Sequence, residues 1–345
     1  MFLTKQQLDT FEKDGFLIIK NAFDPTKTVD PVFKEYEMVL DNLAEDLFNK
    51  GEISSKFKGL SFDQKMESIS KETQQTHAQY FDFSLPIAGE ITEQTPMWHG
   101  PQVFNMLTFP GLLDIVESVI GPEIYSNPVQ HVRIRPPARI FRNPETKNGS
   151  PGHFAPNPGD PTAWHQDQTV GTDGDLDDTD MLTVWIPIRD TTEEMGCLKV
   201  VPGSHKQGVF ENCGADSKYG KLNGPGIPER FFTAEDMLPI PVNRGDVIIF
   251  HRKTIHGSLV NESDKVRISF DIRYHPTGQS TGRQWFPGFV ARSKNEPESV
   301  LEDPQEWSTI WKNTRTQISE MEIKFEEAAL LLHSGLATVN SLAAS

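Results

Sequence analysis

The residues of this sequence best suited to hold a metal ion are a His-x-Asp pair and a histidine far along the chain. His165 and Asp167 are separated by one residue, so on a β-strand their side chains would point to the same face. His256 follows the apolar run 247–250, and in a jelly roll strands distant in sequence become neighbours. Two imidazoles and one carboxylate leave three positions of a six-coordinate ion open, which is typical of non-haem iron(II) sites that use oxygen.

Arg267 is the residue best placed to bind a carboxylate beside that ion. It lies eleven residues after His256, in the run 266–270, where a charged side chain among apolar ones is costly unless it meets an anion. A bidentate pair with a carboxylate satisfies a guanidinium, and Ser258 adds a hydroxyl nearby. We therefore predict that Arg267 and Ser258 hold the distal carboxylate of 2-oxoglutarate. The alternative for Arg267 is a salt bridge to a carboxylate on a neighbouring strand.

Two other histidines, His205 and His251, are weaker candidates for metal ligands. His205 follows Pro-Gly-Ser and is interpreted as part of a turn. His251 lies close to His256, but it stands at a predicted strand end and has no downstream serine and arginine at the matching spacing. The predicted metal site therefore keeps His165 and His256 as its imidazoles.

More positive charge than one 2-oxoglutarate needs is predicted to face the interior of the fold. Alternation along the run 266–274 places four polar residues on one face: Arg267, Ser269, Asp271 and Arg273. A second run carries three more in the same alternation: His131, Arg133 and Arg135. We assign Arg133 to the co-substrate site. Because uncompensated buried charge is costly, we predict a small-molecule substrate with an anionic group, read partly by Arg273. The alternative is that Arg273 pairs with a carboxylate of the helical layer.

Short β-rich runs dominate the middle of the chain, where they must position these residues. They are separated by clusters of Pro, Gly, Asn and Asp, which favours a sandwich, barrel or jelly roll over a sheet of βαβ units. The predicted strands are 132–135, 183–188, 198–201, 247–250 and 266–272. Helices are predicted after a capping box of Thr4 and Gln7, over 29–47, at 112–119 and over 302–332, with a short strand at 15–19. The fold class is therefore mainly β with flanking helices.

The chain is interpreted as one domain over residues 1–345. A helical N-terminal region covers about 1–124, a β core about 125–276 and a C-terminal extension about 277–345. Residues 141–161 form a long insert between predicted strands, rich in Pro, Gly and Asn.

Composition excludes some partners and favours one compartment. A formal charge of −16 argues against a nucleic-acid partner, because phosphate binding needs a basic surface. Two cysteines, Cys197 and Cys213, are too few for a disulfide framework and favour a reducing cytoplasm. The N-terminus has no apolar signal run, and no window is expected to approach a membrane span. The composition leaves the oligomeric state open.

The motifs of this sequence, taken together, resemble those of the phytanoyl-CoA dioxygenase family. Order and spacing of the motifs match over roughly residues 125–275, with weaker similarity near the N-terminus. The matching segments are Phe11-x-x-Asp14-Gly15-Phe16-Leu17, Arg135-Pro136-Pro137, Trp164-His165-Gln166-Asp167, Val184-Trp185, Met195-Gly196-Cys197-Leu198, Val201-Pro202-Gly203-Ser204-His205-Lys206, Arg244-Gly245-Asp246-Val247, and Ile255-His256-Gly257-Ser258 with Arg267. The insert 141–161 departs from the family pattern.

The resemblance implies a double-stranded β-helix, a cupin-like jelly roll. It implies that His165, Asp167 and His256 are iron(II) ligands and that O2 and 2-oxoglutarate are used. It also implies that Arg267 and Ser258 contact 2-oxoglutarate and that Trp185 lines the active site. The implied activity is hydroxylation or another oxidation of an unactivated C–H bond, with 2-oxoglutarate converted to succinate and CO2.

Two other functions use the same His/Asp/His set. A zinc hydrolase explains the three ligands but leaves the spacing of Ser258 and Arg267 unexplained. A non-catalytic cupin-like binding protein does not need a complete set of ligands with open positions. A halogenase is disfavoured because Asp167 fills the position that a halide requires. The identity of the primary substrate does not follow from the sequence, since a fold does not fix function.

Overall fold

A computed structural model describes residues 1–86, 90–141, 158–170, 178–210 and 226–321. Nine strands lie in these residues: β1 (Phe16–Ile19), β2 (Ile124–Arg135), β3 (Leu182–Pro187), β4 (Leu198–Val200), β5 (Leu238–Ile240), β6 (Val247–His251), β7 (His256–Ser258), β8 (Arg267–Pro276) and β9 (Phe289–Arg292). They form a six-stranded sheet in the order β1-β6-β3-β8-β2-β9 and a three-stranded sheet in the order β5-β4-β7. All pairings between these strands are antiparallel, and the two sheets form the predicted jelly roll.

Six α-helices of the described residues flank the sheets. They are α1 (Lys5–Asp14), α2 (Val29–Asn49), α3 (Phe62–Thr73), α4 (Pro101–Leu107), α5 (Pro110–Ile120) and α6 (Pro304–Glu320). Thr4 accepts a hydrogen bond from the Gln7 amide and Gln7 returns one to the Thr4 backbone, so the predicted capping box is confirmed. Helix α1 ends at Gly15, whose φ of 77° is the left-handed conformation that glycine adopts without strain.

Side chains alternate across the six-stranded sheet, and β8 shows this most clearly. One face of β8 belongs to the largest hydrophobic cluster, which also contains residues of all six helices: Ile268, Phe270, Ile272 and Tyr274. The opposite face carries the predicted polar set: Arg267, Ser269, Asp271 and Arg273. The alternation predicted for β8 is thus confirmed. The helices cover the outer face of the large sheet, and the polar face of β8 looks toward the interior between the two sheets.

The sheet recruits strands from outside the predicted core. β1 pairs with β6 and β9 pairs with β2, so the boundaries at about 125 and 276 leave out two strands of the large sheet. The sequence prediction also missed α3, although Ser61 and Gln64 form a second capping box there. Helix α6 confirms the first part of the helix predicted over 302–332, and its remainder lies outside the described residues, as do Cys213 and most of the insert 141–161.

The prediction that no window approaches a membrane span is wrong for residues 101–120. This stretch is long and apolar enough to qualify by length and composition, and 44% of its most apolar window is buried inside the molecule. In the structure it consists of two helices, α4 and α5, with Pro110 at the first position of the second. Both contribute to the hydrophobic cluster that covers β8.

We predict that Phe270→Ala lowers the free energy of unfolding by about 3–5 kcal/mol. The ring of Phe270 is fully buried and makes edge-to-face contacts with Phe83 (centroids 5.1 Å apart) and Tyr36 (6.2 Å). The matched control is Phe48→Ala, at a ring that is 40% exposed, which should cost about 1 kcal/mol or less. Urea unfolding measures both, and equal effects of the two substitutions would contradict the assignment of this face to the core.

Candidate metal centre

The two predicted histidine ligands are paired through their backbones. The His165 amide donates to the His256 carbonyl at 2.9 Å, and the His256 amide returns a hydrogen bond to the His165 carbonyl at 3.0 Å. This is an antiparallel bridge at the first residue of β7. Directly opposed residues carry their side chains on the same face, and the two ring centroids are 4.3 Å apart. The bridge therefore brings together residues that are 91 positions apart in the sequence.

Each imidazole is oriented by a backbone carbonyl two residues earlier. Nδ1 of His165 lies 2.9 Å from the Ala163 carbonyl, and Nδ1 of His256 lies 3.0 Å from the Thr254 carbonyl. Because a carbonyl only accepts, each Nδ1 carries the proton, and Nε2 is the ring nitrogen with the lone pair. Burial lowers the pKa of His165 to about 4, so this ring is neutral at pH 7. A neutral imidazole with a fixed tautomer is the form that binds a metal.

Asp167 completes the set, but it does not lie on a strand. It begins a 3-10 turn, Asp167–Thr169, so the predicted strand through the His-x-Asp pair is wrong. The chain is still extended at Gln166, whose side-chain amide donates to the carbonyls of Gly208 and Lys253, and it turns at the next residue. The carboxylate oxygens of Asp167 still lie 3.6 Å from Nε2 of one histidine and 3.8 Å from Nε2 of the other. The three predicted ligand atoms all lie within 4.8 Å of one another.

Both oxygens of the Asp167 carboxylate are held in place. Arg273 donates to Oδ1 at 2.6 Å, and the hydroxyl of Thr183 donates to Oδ2. Burial raises the pKa of Asp167, but Arg273 and the two neighbouring histidines outweigh it and keep the pKa below its ordinary value. Asp167 is therefore an oriented anion. Sequence reasoning missed Thr183, although alternation along β3 puts it on the same face as Trp185.

The donor set fits a divalent transition metal with open coordination positions. It consists of two imidazole nitrogens and one carboxylate, all buried, and the two histidines line a cavity of about 380 Å³ between the two sheets. Trp185, Phe250 and Leu198 line the same cavity. The ring of Phe250 stacks on His256 with centroids 4.8 Å apart. Two nitrogen ligands and one oxygen ligand facing a cavity match the facial arrangement that iron(II) adopts in non-haem oxygenases.

Arg267 enters this cavity as a cation without a carboxylate partner. Its side chain is 1% exposed, and its Nη1 donates to the Gly196 carbonyl. In the part of the chain that the structure describes, its Nε has no hydrogen-bond partner and no carboxylate lies within salt-bridge distance. The predicted alternative of a salt bridge is therefore wrong. Burial and the neighbouring Arg135 lower the pKa of Arg267 to about 9, which leaves it charged at pH 7.

Ser258 and Arg135 lie beside Arg267 at one end of the cavity. All three line an adjoining space of about 220 Å³, and Arg135 is the direct cross-strand partner of Arg267. The amide of Thr162 donates to the Ser258 hydroxyl at 2.9 Å, and Arg135 donates to the Thr162 hydroxyl at 3.0 Å. Trp185 lies below the guanidinium of Arg267, with 6.0 Å between the ring centroid and Cζ. The structure thus brings together the predicted Arg267, Ser258 and Trp185, and adds Arg135.

The sequence prediction places Arg133 at the co-substrate site beside Arg267, but in the structure Arg133 pairs with Asp271. It lines the metal cavity, but its Nη2 and Nε donate to one oxygen of Asp271 at 2.9 and 3.2 Å. Its charge is therefore already paired. Arg135, two residues further along β2, reaches the Ser258 end instead, because the cross-strand register pairs it with Arg267.

Arg273 points into the interior, as predicted, but its partners are different. It pairs with Asp167 at 2.6 Å and with Asp271 at 3.3 Å, and Nη1 donates to the Val129 carbonyl. Neither a substrate anion nor a carboxylate of the helical layer is needed to compensate it. Arg273 is thus committed to orienting Asp167, and the sequence alone could not show this because the contact spans 106 residues.

We predict that Thr183→Val weakens the affinity for Mn(II) by about 10–100-fold, because one oxygen of Asp167 loses the hydroxyl that orients it. Thr183→Ser retains the hydroxyl and should restore most of the affinity. The matched control is Thr191→Val, at a buried threonine that bonds the Arg189 carbonyl away from the centre. Isothermal titration with Mn(II) measures all three, and equal affinities for Thr183→Val and the control would show that the hydroxyl does not support the metal ligand.

Comparisons with known proteins agree with this geometry. The sequence model of the phytanoyl-CoA dioxygenase family matches residues 11–269. A 1-deoxypentalenic acid 11-beta-hydroxylase of Streptomyces exfoliatus is 26% identical over 219 residues, which are 61% of this chain and 70% of that protein. A phytanoyl-CoA dioxygenase domain-containing protein 1 homolog of Dictyostelium discoideum is 24% identical over 290 residues, 79% of this chain and 92% of that protein.

A solved structure shares the fold. The apo form of the non-haem monooxygenase ThoJ matches 95% of this chain and 98% of its own, with a TM-score of 0.57 and 17% identity. The family match begins in α1 and ends in β8, so it includes the metal centre, the cavity and Arg267. The chain therefore belongs to the phytanoyl-CoA dioxygenase family and is an oxidoreductase of the dioxygenase class.

Proposed function

We propose that this protein is an iron(II)- and 2-oxoglutarate-dependent dioxygenase that oxidises an unactivated C–H bond of a small molecule. The observation that carries the proposal is one cavity lined by both histidines of the His165/Asp167/His256 set and by Arg267, whose guanidinium has no carboxylate partner among the described residues. Bound iron(II) would supply the reaction with O2, coupled to decarboxylation of 2-oxoglutarate to succinate and CO2. A zinc hydrolase would use the same three ligands, but it gives no reason for a buried arginine without a carboxylate.

The residues around the cavity divide the work of binding the co-substrate. Arg267 would pair with the distal carboxylate of 2-oxoglutarate in a bidentate geometry, and Ser258 and Arg135 would add donors at the same end. Trp185 and Phe250 present apolar faces that limit water beside the metal. His165, Asp167 and His256 would hold iron(II), with Thr183 and Arg273 orienting the carboxylate among them.

The proposed substrate is a small molecule that carries an anionic group. Arginines exceed aspartates in the interior, and a relative from Streptomyces exfoliatus is named for a carboxylic acid substrate. We further propose that residues 1–345 act as one domain, because strands from both ends of the chain join the large sheet. We also propose a cytoplasmic location, because the sequence has only two cysteines. A nucleic acid is not proposed as a partner, because the formal charge is −16. A membrane is not proposed either, because helices α4 and α5 of residues 101–120 pack into the hydrophobic cluster that covers β8.

The proposal predicts a visible charge-transfer band when 2-oxoglutarate is added to the iron(II)-loaded protein without oxygen. Chelation of iron by the keto acid produces such a band, and zinc cannot produce it because its d shell is full. Anaerobic absorption spectroscopy provides the measurement, with succinate in place of 2-oxoglutarate as the control. Tight zinc binding, together with no band after reconstitution with iron, would overturn the dioxygenase in favour of a hydrolase.

Arg267→Leu should weaken 2-oxoglutarate binding strongly and leave iron binding nearly intact. Loss of one partner of a buried charge pair costs about 2–5 kcal/mol, and Arg267 does not touch the three metal ligands. Titration of the charge-transfer band with 2-oxoglutarate gives the affinity of each variant. Arg244→Leu, the same substitution at a surface arginine paired with Asp30, is the control and should change nothing. Unaltered 2-oxoglutarate affinity in Arg267→Leu would refute the assigned role.

A further inference from the structure

Arg283 is a second buried arginine without a carboxylate partner. It lies between β8 and β9, and its side chain is 8% exposed. Its Nη1 lies 3.3 Å from Nε2 of His131, and its Cζ lies 5.9 Å from the centroid of the Phe286 ring. Among the residues that the structure describes, none of the carboxylates lies within salt-bridge distance of it. A buried guanidinium that contacts an imidazole and a ring has no anion in direct contact with it, and such a position is costly for a charge.

The imidazole beside Arg283 is neutral, so it does not supply that compensation. Nδ1 of His131 lies 2.8 Å from Oδ2 of Asp82. Because a guanidinium only donates, Nε2 of His131 accepts from Arg283, and the ring proton lies on Nδ1, toward Asp82. Burial also lowers the pKa of His131 below its ordinary value. Asp82, which accepts a further hydrogen bond from the Val132 amide, thus fixes His131, and His131 fixes the guanidinium of Arg283.

Arg283 and Arg267 meet β2 at different positions, and the spacing along the strand argues against one 2-oxoglutarate serving both. In the pairing of β2 with β8, Arg135 lies opposite Arg267 and His131 lies opposite Asp271. These two positions of β2 are four residues apart, which corresponds to about 13 Å between their Cα atoms along the strand. The distal carboxylate of 2-oxoglutarate would lie at Arg267, and its other end is needed at the metal. The charge of Arg283 therefore calls for a different anion.

The balance of charges in the interior also indicates that the site needs an anion besides 2-oxoglutarate. Five arginines face or border it: Arg133, Arg135, Arg267, Arg273 and Arg283. Four aspartates oppose them: Asp82, Asp160, Asp167 and Asp271. The surplus is one positive charge. A divalent metal adds two positive charges, and a 2-oxoglutarate dianion removes two. One positive charge thus remains uncompensated in the loaded site, and such a charge is costly away from water.

We propose that Arg283, held by the Asp82–His131 pair, binds a carboxylate of the primary substrate and so selects acids over neutral analogues. This deepens the proposed function and rests on it, since it assumes that 2-oxoglutarate occupies Arg267. The planar guanidinium suits a carboxylate, which it can meet with two parallel hydrogen bonds. His131, which holds Arg283, is the cross-strand neighbour of Asp271, and Asp271 is in turn the neighbour of Trp185. Because Asp271 and Trp185 line the metal cavity, the position of Arg283 adjoins that cavity.

Acetate and acetamide test this site without knowledge of the full substrate. The protein is loaded with Mn(II), saturated with 2-oxoglutarate, and the relaxation of the methyl protons of each probe is measured by NMR. Because Mn(II) accelerates the relaxation of nearby protons, the expected result is a saturable enhancement for acetate that acetamide lacks. Arg283→Gln should raise the apparent Kd for acetate about tenfold or more and leave 2-oxoglutarate binding unchanged. The control Arg244→Gln, at the exposed arginine paired with Asp30, should match the wild type.

The outcomes separate this inference from the proposed function. Failure of Mn(II) and 2-oxoglutarate to bind would refute the proposed function. Binding of both, with equal enhancement for acetate and acetamide or with an acetate enhancement that persists in Arg283→Gln, would refute only the role of Arg283. If Arg283→Gln does not fold, Arg283→Lys keeps the charge but loses the planar fork. A several-fold weaker acetate affinity in Arg283→Lys supports the inference, and an unchanged affinity contradicts it.

Discussion

The burial of positive charge between two sheets is the constraint on which the site of this protein depends. Arginines away from water are costly unless an anion meets them, and here the aspartates of the interior compensate only some of them. Arg273 and Arg133 share Asp167 and Asp271, while Arg267 and Arg283 have no carboxylate partner among the described residues. Two separate positions of the interior therefore carry positive charge that a dicarboxylate co-substrate and an acidic substrate would meet.

The metal centre is coupled to this charge arrangement through Asp167. Its carboxylate lies between two imidazoles that could hold an ion and Arg273, which belongs to the arginine network. The backbone bridge between His165 and His256 fixes the other two ligands independently of charge. One part of the site is thus positioned by β-sheet hydrogen bonds and the other by electrostatics. Changes in the arginine network should therefore reach the metal through Asp167 rather than through the histidines.

Strand β8 joins the stability of the fold to its chemistry. Its apolar face packs under the helices, and its polar face supplies Arg267, Asp271 and Arg273 to the interior. This much could be predicted from the sequence, because alternation is a local property of a strand. The spacing from His256 to Ser258 and Arg267 was also readable, since β7 and β8 follow one another along the chain. The same alternation on β3 would have identified Thr183.

The remaining features depend on register and turns that a pattern does not encode. The partner of Arg273 follows from a contact across 106 residues, and the Asp82–His131 pair joins a loop before α4 to β2. The sequence pattern places Asp167 on a strand, but the backbone turns into a 3-10 helix there, directly after Gln166, whose side chain donates to the carbonyls of Gly208 and Lys253. Strand β1 was predicted, yet its place at the edge of the large sheet requires β6, more than two hundred residues later.

A crystal structure of the protein with Mn(II) and 2-oxoglutarate would test the central claim most directly. We expect Mn(II) on Nε2 of His165, Nε2 of His256 and one oxygen of Asp167, with the keto acid completing its coordination. The distal carboxylate should pair with Arg267, and the guanidinium of Arg283 should remain free of 2-oxoglutarate. A metal held elsewhere, or a distal carboxylate bound at Arg283 while Arg267 stays unpaired, would contradict the account of two separate anion positions around one metal centre.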